Sequence, residues 1–524
     1  MFVPLVYRRG EGVLCTNLSM AINQLKAGAL LSYVLLGLNT LIGLLYTPFL
    51  LRMLGKSEYG LYSLAASVIA YLTVLDLGFG NAIVRYTAKF RAEGKKEEQY
   101  EMFGMFFLLY LVISLIAFIV AMIMVWNVDA IFDANMTAGE VSRMRIILLL
   151  MAFNLAFTFP MSIWGSIITA YENFVFQKLI NIARTLLNPL VIVGLLFWGY
   201  KAVALVVVTT IFNVLTLSVN YIYCKRKFRV KLYFKRFKWG FLKEVSIYSF
   251  WIFLNAIMDR IYWSSGQFIL GIYQGTASVA VYAVAIQLKD MFFLFSTAIS
   301  SVFLPRVTSM VTQGVSEREI SDLFIKTGRI QYLIMAFILV SFILFGQSFI
   351  DLWAGRSYIE AYTIALLFFI PVTVPLIQNL GITILMARNQ MRFRCVLYVI
   401  IAISSLFVSV PLAKMYGGIG CAIATALALI LGQVIAMNIY YQRVIHLDIL
   451  RFWREIGKMS VAPLMVGILG YFVLRQVEMN TMLSFLMGVL VFGFVYLLVV
   501  WNVGMNSFER NLFKAPLLRL VSKL

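Results

Sequence analysis

The sequence predicts an all-α, polytopic membrane protein of about fourteen transmembrane helices, built as two six-helix lobes in parallel repeat plus two extra C-terminal helices. Three observations predict it. The 524 residues are 62% hydrophobic and only 13% charged, with a mean hydropathy of +0.91, whereas a soluble domain carries about a quarter charged residues. Apolar runs of roughly 20 residues, each long enough to cross a bilayer core, recur from end to end. Short sequence matches recur at a nearly constant spacing through the first twelve runs.

The elements follow in chain order. Residues 1–27 form an N-terminal leader. Its FVPLVY stretch is too short to be the core of a cleavable signal, and Met20 opens a natural entry into MAINQLKAGALLSYVLL, which marks 1–19 as a candidate upstream extension. Apolar runs at 28–51, 59–77, 100–126, 145–170, 176–198 and 202–223 make a first lobe, 28–223. A basic linker, 224–246, contains CKRKFRVKLYFKRFKWGFLK. Its cations alternate with Phe228, Tyr233, Phe237 and Trp239, a composition suited to a segment lying on the membrane; a basic loop that only fixes topology is the alternative. Runs at 247–272, 277–303, 328–346, 360–386, 394–413 and 418–441 make a second lobe, 247–443. Within the fourth of these, Pro371, Pro375, Gln378 and Asn379 predict a kinked, polar helix. The pair 457–474 and 482–502 occupies residues 444–502; TMLSFLMGVLVFGFVYLLVV is apolar on every face and tolerates lipid. Residues 503–524 are a tail. No loop has the length of a separate catalytic domain.

The lobes read as copies. EYGLYSLAA (58–66) matches SVAVYAVAI (278–286), placing Tyr62 against Tyr282; ITAYEN (168–173) matches ILMARN (384–389); NYIYCKR (220–226) matches NIYYQR (438–443). Because six is even, both copies enter from the same side, and the expected axis lies along the membrane normal. By the same alignment Asp76 falls opposite Ser296, and Arg85 near Pro305 and Arg306. Both copies are therefore expected to bend near the end of their second helix, with Asp76, Gly78, Gly80 and Arg85 as a gate or hinge in the first.

The formal charge is +21. On a soluble chain that would suggest nucleic acid; here the cations sit in short loops. With the N-terminus inside, roughly 33 of the cations lie in inside loops and tails and roughly 8 outside, so both termini are expected on the inside face. Three cations, Arg184, Arg260 and Lys289, fall within spans, where an ionised side chain costs about 2.5–3.5 kcal/mol on insertion scales. Helical spacing groups them with other polar residues. Gln177, Asn181, Arg184 and Asn188 form one stripe; Thr209, Asn213, Thr216 and Asn220 another; Ser32, Asn39 and Tyr46 lie seven apart. Asn255, Asp259, Tyr262, Trp263 and Gly266 share a face bordered by Arg260 and Gln267, and Lys289 shares one with Tyr282, Ser296 and Ser300, with Asp290 beside it. Asp259 and Asp290 are candidates for ion coupling or for local neutralisation of Arg260 and Lys289. Interhelical hydrogen bonding alone is the plainer reading of these stripes; the functional one is a water-filled cationic cavity between two lobes, holding a large, hydrophilic anion.

The stretch LLYTPFLLRMLGKSEYGLYSLAASVIAYLTVLDLGFGNAIVRYTAKFRAEG (44–94), with Pro48, Arg52, Leu54–Gly55, EYGLYSL and LDLGFG, resembles the start of bacterial polysaccharide (O-antigen) flippases of the Wzx type. These belong to the multidrug/oligosaccharidyl-lipid/polysaccharide exporter superfamily. The resemblance extends over essentially the whole chain through span number, paired lobes and the terminal pair. It implies a polyprenyl-diphosphate-linked oligosaccharide as substrate, alternating access in a V-shaped fold, and drive from a voltage or from a proton or sodium gradient. It also implies membrane lipids and the polysaccharide polymerase machinery as partners. In related peptidoglycan-precursor flippases, arginines of the first two spans hold the diphosphate and the last two spans make a groove for the prenyl tail. Here the first span offers Asn39 and Tyr46 instead, and Arg52 sits at its outer end.

Rival classes leave different marks. An ion-coupled drug exporter would usually stop at twelve spans and prefer an acidic cavity; a peptidoglycan-precursor flippase is a close cousin. A membrane polymerase or glycosyltransferase needs a large outside loop with catalytic side chains, and the longest here, near 127–144 and 347–359, are short. His446, the only histidine, lies at the inside face near Asp448. Cys15, Cys224, Cys395 and Cys421 have neither zinc nor redox spacing and are expected as free thiols. No nucleophile–base pair, metal cluster or phosphate-cradling loop is evident, so no cofactor, metal or catalytic residue is expected.

Overall fold

A computed structural model describes residues 13–132, 135–234, 239–388, 390–474, 481–511 and 514. Among these the chain is helical, without a strand. That is what lipid demands of a spanning chain: each backbone N–H and C=O must be satisfied within its own segment. The helices are α1 (Val13–Leu72), α2 (Phe79–Ala92), α3 (Lys96–Trp126), α4 (Val128–Phe132), α5 (Ala138–Ala170), α6 (Phe174–Phe197), α7 (Ala202–Tyr223) and α8 (Trp239–Tyr273). They continue with α9 (Thr276–Thr312), α10 (Glu317–Trp353), α11 (Glu360–Ile377), α12 (Asn379–Ala387), α13 (Arg392–Leu429), α14 (Met437–Arg443), α15 (Ile449–Leu474) and α16 (Met482–Val499). Eleven helical segments of the described residues are long and apolar enough to cross a membrane. Within α1 and α13 the helical path is interrupted at Gly55 and Gly417, so each is two helices joined at a corner. The doubled proline of α11 leads into a break at Gln378, as its sequence predicts.

The chain divides into two compact units, Met1–Ile257 and Met258–Leu524, with the division inside α8. In the first unit α2, α3 and α5 enclose an apolar core in which Phe79, Phe106 and Tyr110 meet as tilted and edge-on rings, and Tyr110 stacks on Phe159. The EYG motif explains itself here. Glu58 is buried, with its Oε1 3.0 Å from Arg143 Nε on α5. Its Oε2 accepts the Ala202 N–H at 3.3 Å, placing a carboxylate at the positive end of α7. Next to it, Ser57 donates to Glu140, which also closes a capping box with Thr137 at the start of α5.

In the second unit Phe292 of α9 stacks on Phe369 of α11 at 4.4 Å. Gly266 lets α8 approach the buried Tyr282 ring of α9, which a Cβ there would strike. The α16 helix packs Phe492 and Tyr496 against Phe337 of α10 and turns Leu483, Leu490 and Phe494 outward. A buried ion cluster ties this end together. Arg329 of α10 donates through Nε and Nη2 to both carboxylate oxygens of Glu509 at 2.6 and 3.0 Å, and through Nη1 to Glu455 Oε2 at 3.1 Å. The Gly504 and Glu455 carbonyls accept further bonds at 3.3 and 3.2 Å.

The repeat is written into the backbone. Gly55, Gly94 and Gly199 take positive φ (73°, 72°, 86°), and so do Gly275, Gly314 and Gly417 (77°, 66°, 56°), each about 220 residues later. One expectation fails. The first copy does break after Asp76: a 3₁₀ turn over Thr73–Asp76 is followed by Leu77 and Gly78, both left-handed. The second copy does not bend, because α9 runs unbroken through Ser296. The aligned residues there are Ala298 and Ser300 in place of Gly78 and Gly80, and neither favours the left-handed conformation that opens the first copy.

Candidate functional site

In the first unit the polar stripe of α6 turns toward its neighbours: Gln177, Asn181, Arg184 and Asn188 are all half-buried, whereas Leu179, Leu186 and Leu190 of the same helix are exposed. Arg184 Nη1 donates to Asn213 Oδ1 of α7 at 3.1 Å. Asn213 in turn donates to Asn154 Oδ1 and Thr158 Oγ1 of α5 at 2.7 and 2.8 Å. The guanidinium is thus held by an amide relay across three helices, and among the described residues it makes no ion pair with a carboxylate. Gln177 Oε1 accepts from Thr169 at 3.0 Å. The side-chain oxygens of Asn188 and Asn220 and the Tyr46 hydroxyl are buried without a protein hydrogen-bond partner; groups of this kind are where water or a ligand hydroxyl is held. Asn39 lies exposed on α1. Asn154 and Thr158 were not anticipated, although their i, i+4 spacing inside an otherwise apolar span is a signal of the kind that marked α6 and α7.

At the helix break, Tyr110 donates to Asp76 Oδ1 at 2.6 Å. Gly78 carries the left-handed φ of 72°, while Gly80 lies inside α2 facing Ser166. Arg85 projects from the exposed side of α2.

The second unit gathers charge of both signs from α8, α9 and α13. Lys289 is buried, with Nζ 2.5 Å from Asp290 Oδ1 and 3.9 Å from the centre of the Trp263 ring. Arg394 lies 5.0 Å over the Tyr398 ring. Lys289, Arg394 and Arg260 all act electrostatically on Asp259. The structure therefore brings Asp259, Arg260, Trp263, Lys289 and Asp290 together and adds Arg394 and Tyr398; Gln267 is half-buried one turn further along α8. Lys289 is neutralised by its chain neighbour and faced by an aromatic ring, in contrast to Arg184. Among the described residues no group of three or more His, Cys, Asp or Glu could hold a metal ion.

An all-helical, multi-pass chain that keeps amides and cations within its apolar spans has the makings of a membrane transporter. The chain belongs to the polysaccharide biosynthesis protein family, whose model matches residues 25–311. A Shigella flexneri protein named as an O-antigen transporter is 19% identical over 406 residues, 76% of this chain and 94% of that protein. A Haloferax volcanii protein named as the flippase AglR is 23% identical over 427 residues, 76% of this chain and 80% of that one. Among solved structures, the lipid II flippase MurJ in an inward closed conformation aligns with a TM-score of 0.71 at 16% identity, covering 93% of this chain and all of that one. An inward-facing multidrug transporter of the MATE family aligns at 0.55 and 14% identity, covering 77% and 96%. The Wzx-type resemblance read from residues 44–94 agrees with these relatives, and the MurJ and MATE likenesses establish the fold.

Proposed function

We infer that the protein is a flippase that moves a polyprenyl-diphosphate-linked oligosaccharide from the inner to the outer leaflet of the bacterial cytoplasmic membrane by alternating access, for surface polysaccharide export. The observation that carries the reading is Arg184: a cation within an apolar span, oriented by Asn213 and, among the described residues, in no ion pair with a carboxylate. Each unsatisfied sugar hydroxyl costs roughly 2–7 kcal/mol in an apolar medium, so the glycan does not cross unaided. A cation about 4 Å from a phosphate contributes on the order of 4 kcal/mol at an effective dielectric near 20, enough for one or two arginines to hold the headgroup and still release it. Amide groups such as Asn181, Asn188 and Gln177 suit the sugar. Both termini lie in the cytoplasm on this reading, supported by the distribution of Lys and Arg, and the chain makes fourteen crossings without a chemical step. Asp259 and Asp290 serve ion coupling, by proton or sodium, and the exported glycan passes to polymerase machinery.

The test is a deletion strain complemented with Arg184→Ala, Arg260→Ala and Lys289→Ala. Accumulated lipid-linked oligosaccharide with normal membrane insertion is expected, most severely for Arg184→Ala. Full complementation by all three sinks the cationic-site reading, and a deletion strain that accumulates no lipid-linked oligosaccharide sinks the substrate.

A further inference from the structure

We propose that residues 224–234 are a built binding surface for the headgroups of anionic phospholipids, fixed to the first unit at the end of α7. The segment begins as a π-turn over Cys224–Phe228 and closes on Arg229, whose φ is 50°. It then runs as a pinned strap. Val230 is buried, and the Tyr233 N–H donates to the Tyr100 carbonyl of α3 at 3.1 Å. The Tyr233 backbone passes so close to Gly104 that any Cβ there would collide with it. Phe228 packs on Tyr171 at 4.4 Å, Tyr233 stands edge-on to Tyr100 at 5.5 Å, and Phe234 meets Phe107 at 6.3 Å. Phe228, Val230 and Tyr233 thus face the protein, while Phe234 stays largely exposed.

The other half is positive. Lys225, Arg226, Lys227, Arg229 and Lys231 are exposed, and no acid occurs between 224 and 234. Among the described residues none of the five is in an ion pair. Lys225 lies over the Tyr221 ring, and Lys227 lies over Tyr223 and donates to its hydroxyl at 2.6 Å, so these partners are neutral. Five like charges held this close repel one another unless an anion is supplied from outside. They follow directly on the 22-residue membrane helix α7, which sets them at headgroup depth, where the anions are lipid phosphates.

The fold itself does not ask for this charge. The equivalent turn of the second copy follows α14 and closes on His446, with a φ of 59° like that of Arg229. Its sequence, QRVIHLD (442–448), carries Arg443 and balances it with Asp448. The same turn is therefore built twice, once nearly neutral and once with five cations, and the surplus is available for binding.

The experiment uses the purified full chain in detergent, titrated with phosphatidylglycerol or phosphatidylcholine and read by native mass spectrometry. Wild type should retain phosphatidylglycerol about tenfold more strongly than phosphatidylcholine. The quintuple variant K225Q/R226Q/K227Q/R229Q/K231Q, whose replaced side chains are all exposed, should lose the preference. So should G104V, which keeps every charge but displaces the strap. If G104V elutes as a folded protein with the wild-type preference, loose electrostatics suffice and the built surface is wrong. A quintuple variant that keeps the preference overturns the proposal whatever G104V does. Displacement of the lipid by millimolar inorganic phosphate overturns it too, since it would identify a site for the free ion.

Discussion

Replacing Arg329 with alanine should destabilise the second unit by about 3–5 kcal/mol. The guanidinium makes five hydrogen bonds, three of them to the carboxylates of Glu509 and Glu455, and Arg329 and Glu509 are both buried. Truncation leaves the Glu509 carboxylate out of water with no counter-charge, and that stranded ion accounts for most of the penalty. The figure corresponds to roughly two to four powers of ten in the unfolding equilibrium. It can be measured by unfolding the purified protein with dodecyl sulfate in mixed micelles, followed by tryptophan fluorescence. The control is the double variant Arg329→Met with Glu509→Gln, which removes both charges at similar volume and should recover most of the loss, because a buried pair contributes little net stability against a neutral replacement. An alanine variant within about 1 kcal/mol of wild type, or a double variant no better than the single, would refute the reasoning.

Other substitutions probe the remaining sites. Asn213→Asp keeps an acceptor for Arg184 but adds a carboxylate that occupies the cation; export in a complementation assay should fall further than with Asn213→Ala, and equal or full export from both would show Arg184 to be interhelical glue. Gly78→Ala forces a side chain into a left-handed residue and should cost about 1 kcal/mol, whereas Gly80→Ala, inside a regular helix, should leave stability unchanged; thermal unfolding of the two compares them directly. Glu58→Ala removes both the Arg143 pair and the acceptor for the Ala202 N–H and should cost about 2–3 kcal/mol, with Glu58→Gln losing about half as much, and equal losses would mean that the helix-end contact is immaterial.

Much of this architecture was legible in the chain because lipid restricts the options. Continuous apolar runs can only be helices there, and the spacing of the matches near 58 and 278 recurs in the positive-φ glycines. The polar stripes were legible because helical spacing alone assigns residues to a face. Partners across helices were not. Arg184 carries no sign that Asn213 will hold it, and Asn154 and Thr158 join only once α5 lies beside α7. Arg329 and Arg394 stand at the ends of their spans, where a charge count treats them as loop cations; the burial of Arg329 arises from long-range packing against Glu455 and Glu509. The bend expected of the second copy failed for a local reason that was readable, since alanine and serine stand where the first copy has glycine.

Three glycine corners recur in both halves although little else of their sequence does. A left-handed residue is a demand of the main chain, indifferent to what the neighbouring side chains carry. After an ancestral duplication, such corners would hold the helical scaffold steady while the side chains within it drifted apart. The halves have diverged accordingly: one specialised in neutral amides around Arg184, the other in opposed charges beside aromatic rings. Two inherited frames with different chemistries give one polypeptide a division of labour that a symmetric dimer of identical halves could not have.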